Sequence, residues 1–295
     1  MTINDEPFSP VDVVGGLEVE RDVVLVRGPE AESFLQGQLS QDMTLTPGES
    51  VWSFVLRPEG KVDALVRVSR LDDERFVLDI DGGFGDALVA RLERFKLRVK
   101  CELARLDWRC VAMRGAGTLL TDCSSAAVVG TVAWPGVHGV DLLGPDVELP
   151  SVVPALDPMS FERLRIACGW PSMAAELSGE VIPEECGLVP TAVSFTKGCF
   201  VGQELVARID SRGANVPRHL RGVTAAALPP VGAEVLVDDR VVGELTSVVR
   251  LGRDGGLCLA YIHRSVEPPA EAVLTWGGAG SAATIHAVPL EPDAG

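Results

Sequence analysis

Downstream of Arg212-Gly-Ala-Asn-Val-Pro217 the chain alternates short apolar runs with turn residues and little else. Val235-Leu-Val-Asp-Asp-Arg-Val-Val242 has the form of a hairpin, and residues 243–250, 256–263, 272–276 and 283–288 follow as further strands. Open strand edges invite pairing with other chains, so a run of short, evenly spaced strands favours a small barrel or a sandwich. The pattern sets residues 216–295 apart as an all-β domain. Across the whole chain, 31 Gly and 20 Pro residues favour short strands and turns over long helices.

The first half mixes the two periodicities. Residues 17–27 have the pattern of a hairpin turning at Glu20-Arg21-Asp22, and Gly28-Pro29 opens a helix through Ser33-Phe-Leu-Gln-Gly-Gln-Leu39. Strands are predicted at 51–57 and 62–71 about the turn Pro58-Glu-Gly-Lys61, then at 75–81 and 97–106. Between the last two lies a helix at 84–96, with Phe84, Leu88, Leu92 and Phe95 on one face. Strands followed by one helix indicate an antiparallel α+β unit rather than repeated βαβ. Residues 108–150 are strand and turn, 159–168 a helix, and 171–198 irregular. The expected fold class is α+β with a C-terminal all-β domain. Neither Gly-x-Gly-x-x-Gly nor a P-loop is present, so a dinucleotide or NTPase fold has no support.

With 42 acidic against 26 basic residues, the formal charge is −16. That balance disfavours direct nucleic-acid binding, which needs cations to displace counterions, although a local basic patch is compatible with it. The N-terminus is acidic without an apolar core, so no signal peptide is expected. The uncharged stretch 123–140 is too polar and too broken to span a membrane. A cytoplasmic protein without membrane contact is expected. Seven cysteines, an odd number without Cys-x-x-Cys, and four histidines without His-x-x-x-His spacing indicate neither a disulfide framework nor a metal site. Most of the cysteines read as small buried apolar residues.

One segment stands apart: Ser194-Phe-Thr-Lys-Gly-Cys-Phe-Val-Gly-Gln-Glu-Leu-Val-Ala-Arg208. Gly198 and Gly202 bracket Cys199 and allow backbone conformations that other residues avoid. A helix starting near Gly202 would carry Glu204 in its first turn and set it four residues from Arg208, the favourable order for an ion pair. Lys197 is one of only four lysines beside 22 arginines. Lys197 and a helix N-terminus would favour a Cys199 thiolate. The alternatives are a buried cysteine in a packing turn and a merely solvated lysine.

Lys-Gly-Cys-Phe-Val-Gly-Gln-Glu-Leu-Val-Ala-Arg resembles the signature of the YgfZ branch of folate-binding, glycine-cleavage T-protein-like proteins. Phe34-Leu-Gln-Gly-Gln-Leu-Ser-Gln-Asp42, Leu164-Arg-Ile-Ala-Cys-Gly-Trp-Pro171 and Gly243-Glu-Leu-Thr-Ser-Val-Val are similar to further family segments, in the family order. The resemblance implies three lobes about a central folate cavity: 1–48 with 108–215, 49–107, and 216–295. It implies tetrahydrofolate, or a one-carbon derivative, as cofactor. Iron–sulfur enzymes or assembly proteins would be the partners, among them enzymes that modify tRNA.

The functional motif would be Lys197, Gly198, Cys199, Gly202, Gln203, Glu204 and Arg208. Arg165, Asp63, Asp42 and Trp52 would contact folate, Arg165 by neutralising its glutamate tail. Each has a plainer reading: a surface charge for Arg165, an exposed turn-flanking residue for Asp63, a turn cap for Asp42 and core for Trp52. T-proteins carry paired Asp residues where this chain has Asp63-Ala64. They hold the pterin with a Glu where this chain reads Trp134-Pro-Gly-Val-His-Gly-Val-Asp141 without one. These departures favour an accessory protein supporting iron–sulfur enzymes. A folate-dependent aminomethyl or methyl transferase is the alternative, and a thiol-based adaptor without folate a third reading.

Overall fold

The computed structural model describes residues 13–120 and 122–290. The acidic N-terminus read above as lacking a signal peptide lies outside the described residues.

The chain starts with β1 (Gly15–Val19) and β2 (Arg21–Arg27), then α1 (Ala31–Gln38), β3 (Ser50–Leu56), β4 (Val62–Arg70), β5 (Arg75–Asp81), α2 (Gly85–Phe95) and β6 (Glu102–Leu106). The three strands in 51–81 appear as predicted, buried at nearly every position, with Val66, Val68, Phe76 and Leu78 fully so. Leu88 and Leu92 carry the apolar face of α2. Residues 97–101 are not strand, and β6 begins only at Glu102.

The hairpin expected at 17–27 is not formed. β1 pairs with β7 (Arg109–Arg114), whereas β2 lies between β5 and β6 in another sheet. Two apolar runs separated by polar residues look alike whether the strands face each other or part company, and Glu20 here marks a change of sheet. The resulting five-stranded antiparallel sheet has the order β3-β4-β5-β2-β6. It thus includes a strand from before residue 49.

β8 (Val128–Thr131) and β9 (Gly139–Gly144) complete a four-stranded sheet of order β1-β7-β9-β8. α3 (Pro158–Ala167) follows. Asp157 caps it, accepting from the Ser160 N–H at 3.0 Å, and Pro158 occupies its first turn, where a missing N–H costs nothing. The predominantly irregular stretch to residue 198 includes only a short 3-10 turn at Pro183–Cys186 and α4 (Val189–Ala192). Next come α5 (Gln203–Ser211) and β10 (Arg218–Ala225), and then β11 (Glu234–Val237), β12 (Arg240–Leu251), β13 (Gly255–His263), β14 (Ala270–Trp276) and β15 (Ala279–His286). These last six strands close into a barrel of order β10-β13-β12-β11-β14-β15, which leaves no free edge. The two strands expected at 235–242 and 243–250 differ in one respect. The second arm of the hairpin runs on as one strand, β12, with a register shift between Leu245 and Ser247.

The main core runs from the five-stranded sheet through α1 and α3 to the barrel face that carries Leu257, Leu259 and Tyr261. Among the described residues no helix is long and apolar enough to cross a membrane.

Candidate functional site

The Lys197–Arg208 motif is built on the C-terminal end of α1. The Lys197 ammonium donates to the carbonyls of Gln36 and Leu39 at 2.7 Å and of Gln41 at 2.9 Å. The last carbonyls of a helix have no partners within it and carry partial negative charge, so a cation there is doubly favoured. Burial pushes the Lys197 ammonium down to about 8, with nearby Asp42 opposing, so it remains mostly charged at neutral pH. Lys197 is therefore not a merely solvated cation. All three of its N–H donors hold the loop to α1, and none is directed at Cys199.

The backbone reinforces that anchor. Ser194 N–H donates to the Ser40 carbonyl at 3.0 Å and Val201 N–H to the Gly37 carbonyl at 3.2 Å. The Ser40 hydroxyl donates to the Ala192 carbonyl at 2.6 Å, and the Gln41 amide to that of Thr191 at 3.1 Å. Gly202 has φ +82°, and a Cβ there would lie 2.5 Å from the Arg57 carbonyl oxygen. Gly198 differs from expectation: its φ is not positive and the space around it is open. The Gln203 side chain accepts from Phe200 N–H at 3.1 Å and closes the turn before α5. Glu204 lies in the first turn of α5 and Arg208 in its last, but both are exposed and no ion pair forms between them.

Cys199 is carried at the outside of this anchored loop. It is exposed, whereas Cys101, Cys110, Cys168, Cys186 and Cys258 are buried and Cys123 is partly covered. Burial pushes the thiols of Cys168, Cys186 and Cys258 up to about 12. The buried-turn alternative for Cys199 is thereby removed. No cluster of three or more metal-ligating side chains occurs among the described residues.

The residues expected to contact folate separate. Arg165 is buried, and all five of its N–H donors have partners. Glu162 takes two of them, at 2.8 and 2.6 Å, the Trp170 carbonyl and Glu176 take those of Nη1, and the Ser247 hydroxyl the last. Glu176, itself 1% exposed, accepts from Thr246 and Ser247 at 2.7 and 2.6 Å and from Ser172 N–H at 3.0 Å. Arg165 is thus neither a surface charge nor a free cation for an anionic tail. It clamps α3 to β12 of the barrel. The sequence analysis missed Glu176, although the clamp joins two segments it singled out, Leu164–Pro171 and Thr246-Ser247.

Asp42 accepts from Thr44 N–H at 3.0 Å and from Gln36 at 3.1 Å, the turn cap of its plainer reading, and those bonds hold its carboxyl below the usual range. Asp63 bridges Arg91 at 3.2 Å and Arg57 at 3.4 Å. Trp52 is buried core, packed edge-on to Trp170 at 4.9 Å between ring centroids.

Trp52 belongs to a buried node that joins the four- and five-stranded sheets. Arg67, 1% exposed, donates to Asp79 at 2.9 Å and to Asp141 at 2.7 Å, and Arg114 donates to Asp141 at 2.7 Å. A Cβ on Gly130 would lie 2.5 Å from the Arg67 guanidinium, so glycine makes room for this crossing. Burial would raise the Asp141 carboxyl, but Arg114 and Arg67 override it and hold the group at about 2. The stretch 134–141 therefore does hold a carboxylate, one that both arginines occupy. Arg114 lies 4.4 Å from the Trp134 ring centroid, and Trp134 packs 6.4 Å from Trp170. Two buried donors here lack any partner, Trp52 Nε1 and Arg114 Nε.

No family model matches the chain. An uncharacterised protein of Haemophilus influenzae is 27% identical over 248 residues, covering 81% of this chain and 85% of the relative. The tRNA-modifying protein YgfZ of Klebsiella pneumoniae is 28% identical over 284 residues, covering 82% and 83%. The mitochondrial iron–sulfur cluster assembly factor IBA57 homolog of Neurospora crassa is 28% identical over 217 residues, which is 65% of this chain and 49% of that protein, about half its length. Among solved structures, the glycine cleavage system aminomethyltransferase T of Bartonella henselae superposes with a TM-score of 0.77 at 20% identity, over 95% of this chain and 87% of its own. At that identity the likeness describes the fold.

Proposed function

We propose, taking the chain's membership of the YgfZ and T-protein-like superfamily as the premise, that it is an accessory protein for iron–sulfur enzymes and works through the Cys199 thiol. One observation carries the reading. A single exposed thiol is presented by a loop that Lys197 and backbone hydrogen bonds fix to α1, while the other cysteines are withdrawn. A thiol held this way can give up its proton and form one bond to a cluster iron. It supplies one ligand where a cluster usually needs four, so the other ligands belong to the partner.

Tetrahydrofolate is the cofactor in this proposal. The residues fit it in part. Trp52 Nε1 and Arg114 Nε are buried donors without acceptors, beside the rings of Trp134 and Trp170, and a planar heteroaromatic group offering acceptor atoms suits that donor set. Bound there, folate would supply one-carbon carrier chemistry. Arg165, Asp63 and Asp42 are committed to protein partners and are not assigned to it. The carboxylates of the node are likewise spent on arginines, which argues against aminomethyl transfer. In a strain lacking the protein, iron–sulfur enzymes of that cell should lose activity and regain it when the intact gene is restored. Purified protein should gain about 2.7 kcal/mol of stability at tetrahydrofolate a hundredfold above its Kd. Undiminished activity of the iron–sulfur enzymes in the deletion strain would refute the accessory role, and an unshifted unfolding curve at millimolar tetrahydrofolate the cofactor.

A further inference from the structure

We propose that the segment from Arg94 to Lys100, between α2 and β6, is a docking surface for an acidic segment of a partner protein. In a chain of formal charge −16, residues 91–100 hold five cations and one carboxylate, and two of the four lysines. Two of the cations are used internally: Arg91 pairs with Asp63 at 3.2 Å and Lys96 with Glu93 at 2.7 Å. Arg94, Arg98 and Lys100 are exposed and have no ion pair among the described residues. Between them stands Leu97, 82% exposed, the most exposed of the large apolar side chains described. Beside it lies a groove of about 540 Å³ lined in part by Val99 and Lys100, in which Arg27 and Arg75 are already paired with Glu102 and Asp72.

Charge and shape together select the occupant. An acidic partner is repelled by most of this surface and drawn to this patch, which fixes where it lands. Nucleic acid fits less well. Phe95, the aromatic ring of the segment, is half-buried under Arg91 at 3.9 Å, so its face is not open for a base to stack on.

The patch also has a fixed relation to the thiol. Lys100 N–H donates to the Glu30 carboxylate at 2.6 Å, just before α1, and Lys197 caps the other end of that helix. Eight residues of helix span about 12 Å. One partner burying about 800 Å² on its own side would cover both ends. That the docked partner then meets Cys199 rests on the function proposed above.

The test uses the full chain and four labelled probes. They are a peptide of about twelve residues alternating Glu and Leu, its Lys counterpart, a single-stranded oligonucleotide of similar length, and phosphatidylglycerol vesicles. The acidic peptide alone should bind, about tenfold more weakly in Arg94→Glu/Arg98→Glu and severalfold more weakly in Leu97→Ser. Native melting behaviour and unchanged Cys199 alkylation in these variants would show that they are folded. Equal binding of the oligonucleotide or the vesicles, no peptide binding, or peptide binding indifferent to charge reversal would overturn the proposal. Cys199→Ser should bind the peptide normally, so a failure of docking and a failure of the thiol reading are seen separately.

Discussion

The Arg165–Glu176 clamp and the Lys197–Cys199 loop both lie in segments resembling one protein family, yet they differ in what they leave free. In the clamp every donor of Arg165 is spent inside the protein, and Glu176 answers from the loop beyond α3 with Thr246 and Ser247 from the barrel. In the loop the charged group is spent just as fully, on three carbonyls of α1 and the turn after it, but its effect is to hold an uncommitted thiol outside. A motif can therefore mark a residue that builds the frame or one that the frame presents. Only the accounting of donors and acceptors tells them apart.

The comparison breaks most visibly if buried charges are removed. Glu176→Ala should cost about 3 kcal/mol, because it leaves the buried Arg165 guanidinium paired with Glu162 alone and takes the acceptor from Ser172, Thr246 and Ser247. Asp141→Asn should cost a similar amount by weakening the hold on Arg67 and Arg114. Urea unfolding curves measure both, and a loss under 1 kcal/mol for either would show that the frame does not depend on them. Acid sharpens the same point. The Asp141 carboxyl titrates at about 2 folded and near 3.8 unfolded, so its stabilisation is complete above pH 4 and is lost as pH falls towards 2. The amount is about 2 kcal/mol, and wild type minus Asp141→Asn stability against pH should show it.

Lys197→Met should cost less, about 1–3 kcal/mol, since it frees carbonyls that water reaches more easily. Its diagnostic effect is local: faster amide exchange at Ser194 and Val201, whose N–H groups tie the loop to Ser40 and Gly37. Unaltered exchange there would deny Lys197 its positioning role. Cys199→Ser, at an exposed site without packing, should change stability by no more than about 0.5 kcal/mol.

What could be read from the residues follows the range of the interactions. The barrel strands and α2 announce themselves by periodicity within a few residues, but the spacing of the strands suits a barrel and a sandwich alike, and only their pairing closes the barrel. The false hairpin at 17–27 shows the limit, because β1 and β2 find partners far along the chain in different sheets. Glu176 escaped notice because its partners Ser247 and Thr246 are 71 and 70 residues away. Arg67 and Asp141 are 74 residues apart and read as ordinary strand charges. The Lys197–Cys199 motif stood out in the sequence as a segment, but not the direction of Lys197. A lysine two residues from a cysteine looks like its activator until α1 and the turn after it supply three carbonyls. The one available signal for Glu176 was an acidic side chain following Trp170-Pro171 in an otherwise weakly charged stretch.

The central claim is that Cys199 acts while the rest of its motif holds it in place. The most direct measurement is complementation of an iron–sulfur enzyme's activity in a strain lacking the protein, comparing wild type, Cys199→Ser and Cys258→Ser at equal protein levels. The account predicts that Cys258→Ser restores the activity and that Cys199→Ser, equally folded, does not. Full restoration by Cys199→Ser would contradict it.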